Sequence, residues 1–333
     1  MHIGRKPIRV DGKRTPQRGL LLMSTQPIHL IVILGATASG KTGLAVATAR
    51  QLDGEIISAD SRQVFRGMDL GTGKDLAEYG AVPYHLIDIA EPGSEFNVYR
   101  FQQLCFDGLE TIRARGRTPI LCGGTGLYLD AVLQGYRMIQ VPENPELRAE
   151  LSRRTDEQLR ERLLALKPRQ HNRTDLQDRE RLLRALEIAS GEQQHAAHRP
   201  PLPALQPLIF GLRWPRPLLR ERIAVRLQQR LDAGMIAEVE GLHAAGVPWE
   251  NLEFYGLEYR FIARHLQGLL SYNDMKQQLQ SAIGQFAKRQ DTWFRRMQRR
   301  GTTIHWLDGD NQPFAQLCRH LRDSAFPGLT ERP

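Results

Sequence analysis

Short runs of apolar residues recur along the first part of the chain, at intervals that leave room for helices between them. HLIVIL at residues 29–34 is the first run, and similar runs lie at 55–60, 85–89 and 118–124. Apolar runs without polar alternation are typical of strands that are buried on both faces, as in a parallel sheet. Together with helical stretches such as 41–52, they predict an α/β fold in which helices flank a parallel sheet.

The pattern changes after Val141. Residues 142–204 hold Arg-, Glu- and Leu-rich helical stretches with no strand candidate. An apolar run at 207–214 then predicts a returning strand, helices are expected over about 217–300, and TIHWLDG at 303–309 predicts a last strand. The parallel sheet is therefore expected to carry an all-helical insert.

These patterns divide the chain into four parts. Residues 1–28 contain six basic residues and one acidic residue without a periodic pattern, so we expect a disordered basic arm there. We expect the α/β core over 29–141 and 205–315, the helical insert over 142–204 and a C-terminal tail over 316–333.

Composition limits the class of protein. The chain has 333 residues, 41% of them hydrophobic, which is enough for a large buried core. No apolar run approaches the ~18 residues of a membrane-spanning helix. The cysteines Cys105, Cys122 and Cys318 form no CxxC pair that would indicate a zinc site or a disulfide framework. We expect a cytoplasmic protein that has no membrane partner and acts as a monomer.

The net charge of +9 is concentrated in two places. One is the N-terminal arm, and the other is the segment 283–301, which has six basic residues and one acidic residue. Apolar residues in this segment fall near helical spacing, so we expect its aromatic side chains in the core. The opposite side, which includes Lys288 and Arg289, then forms a basic surface that can bind the phosphates of a nucleic acid.

The strongest motif is GATASGKT, which has the GxxxxGKT pattern of a phosphate-binding loop, or P-loop. It lies between a predicted strand and a predicted helix, which is the context that such a loop requires. Backbone amides surround phosphate oxygens, Lys41 adds a positive charge, and the Thr42 hydroxyl can bind Mg²⁺. The residues of this predicted diphosphate or triphosphate site are Gly35, Ala36, Thr37, Ala38, Ser39, Gly40, Lys41 and Thr42.

Acidic residues follow two of the predicted strands. Asp60 ends the run at 55–60, and the carboxyl ends of parallel strands are where ligands bind in such a sheet. Asp60 is a candidate for a general base, for a magnesium ligand or for a residue that caps the next turn. By pattern alone, Asp88 is an equally good candidate for the magnesium ligand.

Two further features are candidates for the ligand site, a glycine-rich segment after a strand and a row of arginines on a helix. Residues 123–125, Gly-Gly-Thr, follow another strand and form either a second amide-rich turn at the site or a plain connection. Arg222, Arg226 and Arg230 are spaced by four and share one face of a helix. They form either a solvated stripe of charge on the helix surface or a group from which one guanidinium binds the phosphates of the ligand.

Taken together, these motifs resemble the tRNA dimethylallyltransferases, the isopentenyl transferases that act on tRNA. The similar stretches span about 30–310 and are GATASGKT at 35–42, SADSRQVFRGMDLGTGK at 58–74, HLIDI at 85–89, GGTGLYLDAVL at 123–133, RERLLRALEI at 179–188 and FAKRQDTWFRR at 286–296. The resemblance implies transfer of a dimethylallyl group from dimethylallyl diphosphate, with Mg²⁺. The acceptor that it implies is the exocyclic amine of the adenosine on the 3′ side of the tRNA anticodon.

The resemblance also implies roles for single residues. It makes Asp60 the general base, places Thr125 beside the target adenosine and directs Arg222 to the diphosphate, with Arg226 as the second candidate. The helical insert would hold the anticodon stem-loop. The tRNA contacts expected from the resemblance and from the basic surface are Asp60, Ser61, Arg62, Gln63, Thr125, Arg148, Glu180, Arg181, Leu182, Leu183, Arg184, Lys288 and Arg289.

Two other functions use the same phosphate-binding loop. A P-loop kinase would hold ATP there and phosphorylate a small molecule or nucleotide, without any need for tRNA. A nucleotide-switched RNA-binding protein would carry out no covalent chemistry and would not depend on Asp60. Neither alternative accounts for the six stretches together.

Overall fold

The computed structural model describes residues 27–168, 178–194, 201–324 and 326. Its strands form one parallel sheet in the order β3-β2-β4-β1-β5-β6. The predicted α/β class, with a parallel sheet, flanking helices and a helical insert, is confirmed. The strands are β1 (Ile28–Gly35), β2 (Gly54–Ser58), β3 (Tyr84–His85), β4 (Thr118–Gly123), β5 (Leu205–Arg213) and β6 (His305–Asp308).

Helices connect the strands, and several begin at a side-chain cap that the sequence supplies. Asn97 accepts a hydrogen bond from the Arg100 amide, and Ser271 accepts one from the Asp274 amide. The helices are α1 (Lys41–Leu52), α2 (Val98–Ala114), α3 (Gly126–Leu133), α4 (Pro145–Ser152), α5 (Asp156–Leu166), α6 (Arg179–Gln194), α7 (Arg216–Asp232), α8 (Met235–Ala244), α9 (Trp249–Phe254), α10 (Leu257–Leu266), α11 (Tyr272–Arg299) and α12 (Pro313–Asp323).

The central strands explain the continuous apolar runs. Strand β1 lies between β4 and β5 and has helices over the sheet, so nearly all its residues are buried. The register pairs Leu34 with Gly123, and Ser58 with Cys122. The carboxyl ends of β1, β2 and β4 therefore meet at one edge of the sheet, where the phosphate-binding loop begins.

The strand predicted over 85–89 was wrong beyond His85. The backbone enters the left-handed region at Leu86 (φ 62°) and at Asp88 (φ 55°), which ends the strand. The amides of Asp88 and Ile89 donate to the carbonyls of Gln63 and Val64. This segment therefore packs on a loop that follows β2 instead of extending the sheet.

The two ends of the predicted core also differ from expectation. The expected tail over 316–333 contains most of α12, whose side chains Leu317 and Leu321 are buried in the core together with Phe326. Their spacing gives this helix an apolar face, so it packs on the sheet. At the other end, Ile28 is already part of β1, and the rest of the expected disordered arm, residues 1–26, lies outside the described residues.

The insert is a compact unit that spans residues 135–202. It begins seven residues earlier than the expected range of 142–204, and its described helices are α4, α5 and α6. Leu182 and Leu183 are 1% and 3% exposed in its apolar core. The two side chains therefore occupy the inward face of α6, and contact of the stretch 180–184 with tRNA stays a prediction.

No helix in the described ranges is both long enough and apolar enough to cross a membrane.

A buried carboxylate at the opposite edge of the sheet leads to a prediction about stability. Glu55, 1% exposed at the start of β2, bonds to Arg115 (Nη1 to Oε2, 3.0 Å) and to His85 (Nε2 to Oε2, 2.6 Å). Burial by itself raises the pKa of Glu55, but the bonds from His85 and Arg115 outweigh burial and hold the pKa below its ordinary value of 4.5. The ionised form therefore stabilises the fold above that pH.

We expect Glu55→Gln to lower the free energy of unfolding at pH 7 by about 1–3 kcal/mol. The difference from the wild type should shrink as the pH falls below 4.5, because the stabilisation by Glu55 is lost as the folded protein takes up the proton. Urea unfolding at a series of pH values measures both quantities. A difference that stayed constant down to pH 3 would contradict this account of Glu55.

Candidate active site

The phosphate-binding loop lies where the motif placed it, between β1 and α1. Two of its residues have left-handed backbone, Ala38 (φ 61°) and Gly40 (φ 88°). Gly40 precedes α1 and no side chain caps the helix, so the first amides of α1 are open to an anion. A Cβ atom at Gly35 would lie 2.7 Å from the Ser39 hydroxyl and 3.2 Å from the Leu212 carbonyl oxygen, so the close packing of the loop favours glycine there.

Lys41 lies at the end of this loop, and its side chain is half-buried. Its Nζ donates to the Ala36 carbonyl at 3.4 Å, and no salt bridge of Lys41 is found among the described residues. Burial lowers the pKa of Lys41, and the nearby charges of Arg226 and Arg230 act in the same direction, while Cys122 and Asp60 oppose them. A half-buried lysine that forms no salt bridge with the described residues is suited to an anionic ligand.

Arg222 lies directly over the loop, against the interpretation of the three arginines as a solvated stripe. Its Nε donates to the Ala38 carbonyl at 2.9 Å, and its guanidinium stacks 4.1 Å above the Trp214 ring. The Trp214 indole in turn donates to the Ser39 carbonyl at 2.8 Å. Arg222 is therefore held beside the phosphate-binding loop, as predicted, and Trp214 is a supporting residue that the sequence analysis missed.

Arg226 and Arg230 share one carboxylate, that of Asp75. Arg226 Nη2 lies 2.6 Å from Asp75 Oδ2, and Arg230 Nη2 lies 3.4 Å from the same oxygen. Burial by itself raises the pKa of Asp75, but the two arginines outweigh it and hold the pKa below its ordinary value. Both arginines line a recess beside Thr37 and Ala38 of the loop. Of the three arginines, Arg222 is the one with no carboxylate partner among the residues that the structure describes.

Asp60 and Thr125 lie together at the ends of β2 and β4. One carboxylate oxygen of Asp60 accepts a hydrogen bond from the Arg62 amide at 2.9 Å. The Thr125 hydroxyl accepts one from the Ser61 amide at 3.1 Å, and the Thr125 amide donates to the Ala59 carbonyl at 3.2 Å. Asp60 therefore does cap the turn, but with one oxygen only. The Gly-Gly-Thr turn is more than a connection, since it supports the segment that carries Asp60.

Two residues near Asp60 have different surroundings. Arg62 reaches over the exposed ring of Phe254, with 5.2 Å from the guanidinium carbon to the ring centroid. Gln63 is buried, and both ends of its carboxamide are engaged, with the Ser58 hydroxyl and with the Gly73 carbonyl. The expected contact of the Gln63 side chain with tRNA is therefore not what the structure favours, because those bonds hold the side chain within the protein.

Asp88, the alternative candidate for a magnesium ligand, is paired with Lys74. The Lys74 side chain is fully buried and also contacts Asp69 Oδ1 at 2.6 Å and the Phe65 carbonyl at 2.7 Å. This ion pair fixes the loop between β2 and β3. The structure thus gives Asp88 a structural partner, whereas Asp60 lies beside the turn that carries Thr125.

The predicted tRNA-binding residues of the insert fall into two groups. Arg148 and Arg184 are half-buried and pair with the buried Glu187, at 3.6 Å and 3.4 Å. Glu180 and Arg181 are exposed on α6. On the other compact unit, Lys288 and Arg289 are exposed on α11, as expected. Of the aromatic residues expected in the core, Phe294 is buried, but Phe286 is 39% exposed, because it lies on the outward face of α11 beside the basic residues.

Gln290 is a second residue of the site that the sequence analysis missed. It is 8% exposed, and its carboxamide bonds to the backbone of both the phosphate-binding loop and the turn at Gly124. The signal in the sequence is a polar residue in line with apolar ones, since Ile283, Ala287 and Phe294 lie on the same buried face of α11.

Comparison with known proteins gives consistent results. A family model described as IPP transferase matches residues 63–297. The chain is 65% identical over 291 residues to tRNA dimethylallyltransferase 2 of Syntrophotalea carbinolica, which covers 87% of this chain and 98% of that protein. It is 31% identical, with a TM-score of 0.64, to the crystal structure of the full-length tRNA isopentenylpyrophosphate transferase of Bacillus halodurans, over 89% of this chain and 95% of that one.

A structure of a eukaryotic dimethylallyltransferase acting on tRNA shares the fold, with a TM-score of 0.75 and 23% identity over 92% of this chain and 82% of that chain. These relatives favour the transferase interpretation over a P-loop kinase. The family model spans more than half of the chain, and the relative from Syntrophotalea carbinolica is 65% identical over 87% of it. The chain therefore belongs to the IPP transferase family, that is, to the tRNA dimethylallyltransferases.

Proposed function

We propose that this chain transfers a dimethylallyl group from dimethylallyl diphosphate to the exocyclic amine of the adenosine on the 3′ side of the tRNA anticodon, giving N6-isopentenyladenosine. One observation carries the proposal. An anion site with an unpaired lysine lies at the same edge of the sheet as the carboxylate of Asp60. Membership of the family indicates that the anion is the diphosphate of the donor and that the acceptor beside Asp60 is an adenosine of tRNA.

The donor half of the site stabilises the leaving group. As the bond between the allylic carbon and the diphosphate oxygen breaks, negative charge grows on the diphosphate and cationic character grows on the carbon. Lys41, Arg222 and the open amides of α1 oppose the growing negative charge. Because the Trp214 ring and the Ala38 carbonyl already hold the Arg222 guanidinium, little reorganisation is needed when the diphosphate binds.

The acceptor half of the site removes a proton. The lone pair of the adenine amine is delocalised into the ring, so a base that accepts an amine proton as the new N–C bond forms assists the attack. Asp60 is that base. The Arg62 amide holds one of its oxygens, which fixes the direction of the carboxylate. Thr125 supports the same turn by accepting a hydrogen bond from the Ser61 amide. In the proposed complex it lies beside the adenosine.

The tRNA is bound by basic surface residues that do not contact the reacting atoms. The target base leaves its stack to reach the site, as enzymes that modify bases generally require. The exposed Arg181 of the insert and the exposed Lys288 and Arg289 of α11 bind phosphates of the anticodon stem-loop. The enzyme acts in the cytoplasm, where its tRNA substrate is made, and it acts as a monomer.

Magnesium fits this site as an ion that the substrate brings. No group of three or more His, Cys, Asp and Glu side chains that could hold a metal lies within the described ranges. The half-buried Thr42 hydroxyl at the start of α1 offers one oxygen, and Mg²⁺ commonly takes its other ligands from phosphates and water. When bound, the ion would neutralise charge on the leaving diphosphate.

Removal of the metal tests this assignment. We expect excess EDTA to reduce dimethylallyl transfer to background, and excess Mg²⁺ to restore it. We expect Thr42→Val, which keeps the shape of the side chain but removes its oxygen, to raise the Mg²⁺ concentration for half-maximal activity about tenfold. A rate that is independent of Mg²⁺ in the wild type would refute the role of the ion.

The proposed reaction is tested by mass spectrometry of nucleosides from unmodified tRNA, after incubation with the purified protein, Mg²⁺ and either dimethylallyl diphosphate or ATP. We expect a prenylated adenosine with the allylic donor only. Consumption of ATP without any gain in nucleoside mass would refute the transferase and favour a kinase.

A further inference from the structure

Gln290 joins the two halves of the proposed active site. Its Oε1 accepts a hydrogen bond from the Thr37 amide in the phosphate-binding loop at 2.8 Å. Its Nε2 donates to the Gly124 carbonyl at 3.0 Å. Both bonds are formed by a side chain that is 8% exposed, so water does not replace either of them easily.

The contacts continue from Gly124 to the acceptor carboxylate. Thr125 follows Gly124 directly, its amide donates to the Ala59 carbonyl, and its hydroxyl accepts from the Ser61 amide. Ala59 and Ser61 flank Asp60 in the chain. A continuous series of hydrogen bonds and peptide links therefore runs from the loop that binds the diphosphate, through Gln290, to Asp60.

The site is built around this particular side chain. A Cβ atom at Gly124 would lie 2.4 Å from Gln290 Nε2, so glycine at that position leaves the space that the carboxamide occupies. A carboxamide accepts at one end and donates at the other, and both are needed here. Glutamate could accept from Thr37 but would set a second acceptor against the Gly124 carbonyl, and methionine would do neither.

Gln290 also projects from a rigid element. Helix α11 is 28 residues long, and the neighbouring side chains Ala287 and Phe294 are buried in the core. One turn away, the Trp293 indole donates to Asp130 of α3 at 3.0 Å, and Trp293 would also contact any side chain at Gly126. The helix therefore keeps a fixed position relative to both loops.

We propose that Gln290 is a positioning residue, which sets the distance between the diphosphate and the general base so that the allylic carbon and the amine meet in line. This inference rests on the proposed function. Misplacement by a fraction of an ångström slows a reaction of this kind while it leaves the binding of each substrate largely intact. Gln290 should therefore act on kcat more than on either substrate affinity.

The test compares Gln290→Met and Gln290→Glu with the matched changes at Gln285, which is exposed on the same helix. We expect Gln290→Met to lower kcat about 10-fold and Gln290→Glu about 50-fold, with tRNA affinity by filter binding within threefold of the wild type. Affinity for inorganic diphosphate, measured by calorimetry, should be nearly unchanged in Gln290→Met and weaker in Gln290→Glu because of its negative charge. With both substrates saturating, Gln285→Met and Gln285→Glu should keep the kcat of the wild type.

Thermal unfolding separates positioning from a purely structural role. All kinetic measurements are made at least 15 °C below the melting temperature of each variant. A kcat of folded Gln290→Met within twofold of the wild type would overturn the proposal. So would a loss that appears wholly as weaker substrate binding. If Gln290→Glu does not fold, Gln290→Met alone decides. A wild type without transferase activity would instead refute the proposed function, and the diphosphate titrations would still report on the loop.

Discussion

Asp60→Asn is expected to bind tRNA and dimethylallyl diphosphate normally and to lose between about 100- and 10,000-fold in kcat, the usual range for removal of a general base. Asparagine keeps the shape of the side chain and an oxygen that can still accept from the Arg62 amide. The turn that carries residue 60 is therefore preserved, while the side chain can no longer take a proton from the adenine amine. Single-turnover transfer to tRNA, with both substrates saturating, measures this loss directly.

One control variant sharpens the test of Asp60. Asp88→Asn removes a carboxylate that pairs with the buried Lys74. We expect it to lower the melting temperature, and at a temperature where the variant is folded its kcat should be close to that of the wild type. If Asp60→Asn retained more than a tenth of the wild-type kcat, Asp60 would not be the base. If Asp88→Asn lost as much kcat as Asp60→Asn while folded, the two carboxylates would have to exchange roles.

Lys41→Met is expected to reduce kcat/KM for dimethylallyl diphosphate by about 100- to 1,000-fold, similar to the removal of one charge-stabilising donor at other active sites. Methionine has a similar length and no charge. Lys41 has no carboxylate partner in the described part of the chain, so its removal does not strand an acidic group. The melting temperature of the ligand-free variant should therefore equal or exceed that of the wild type.

The matched control for Lys41 is Lys276→Met, on α11, where the amine contacts Gln228. It removes one positive charge from the same compact unit and should leave kcat/KM within twofold of the wild type. Steady-state kinetics over a range of dimethylallyl diphosphate concentrations provide both values. An unchanged kcat/KM in Lys41→Met would mean that the diphosphate does not bind in the loop.

The parts of the site that could be predicted from sequence are those whose chemistry is contained in a short segment. The phosphate-binding loop needs eight consecutive residues between a strand and a helix, and each of them acts mainly through its own backbone or side chain. The central strands were equally accessible, because burial on both faces leaves continuous apolar runs.

The prediction of structure failed where a local sequence pattern was compatible with two different structures. HLIDI at 85–89 is apolar enough for a strand, but Leu86 and Asp88 adopt left-handed backbone because residues 63–64 offer their carbonyls to this segment. Leu182 and Leu183 lie within a motif similar to that of the family, yet they fill the core of the insert. Resemblance at a position does not specify whether its side chain faces a substrate or the protein interior.

By itself, the amino-acid sequence determined the fold class, the phosphate-binding loop and the candidate base at the end of β2, since these depend on periodicity and on short motifs. Only the tertiary structure decided how the chain supports them. Arg222 is separated from Ala38 by 184 residues, and Gln290 from Thr37 by 253, yet each pair is joined by a hydrogen bond. Such contacts arise when packing of the apolar faces brings distant segments together, and no local pattern encodes the distance between two particular side chains.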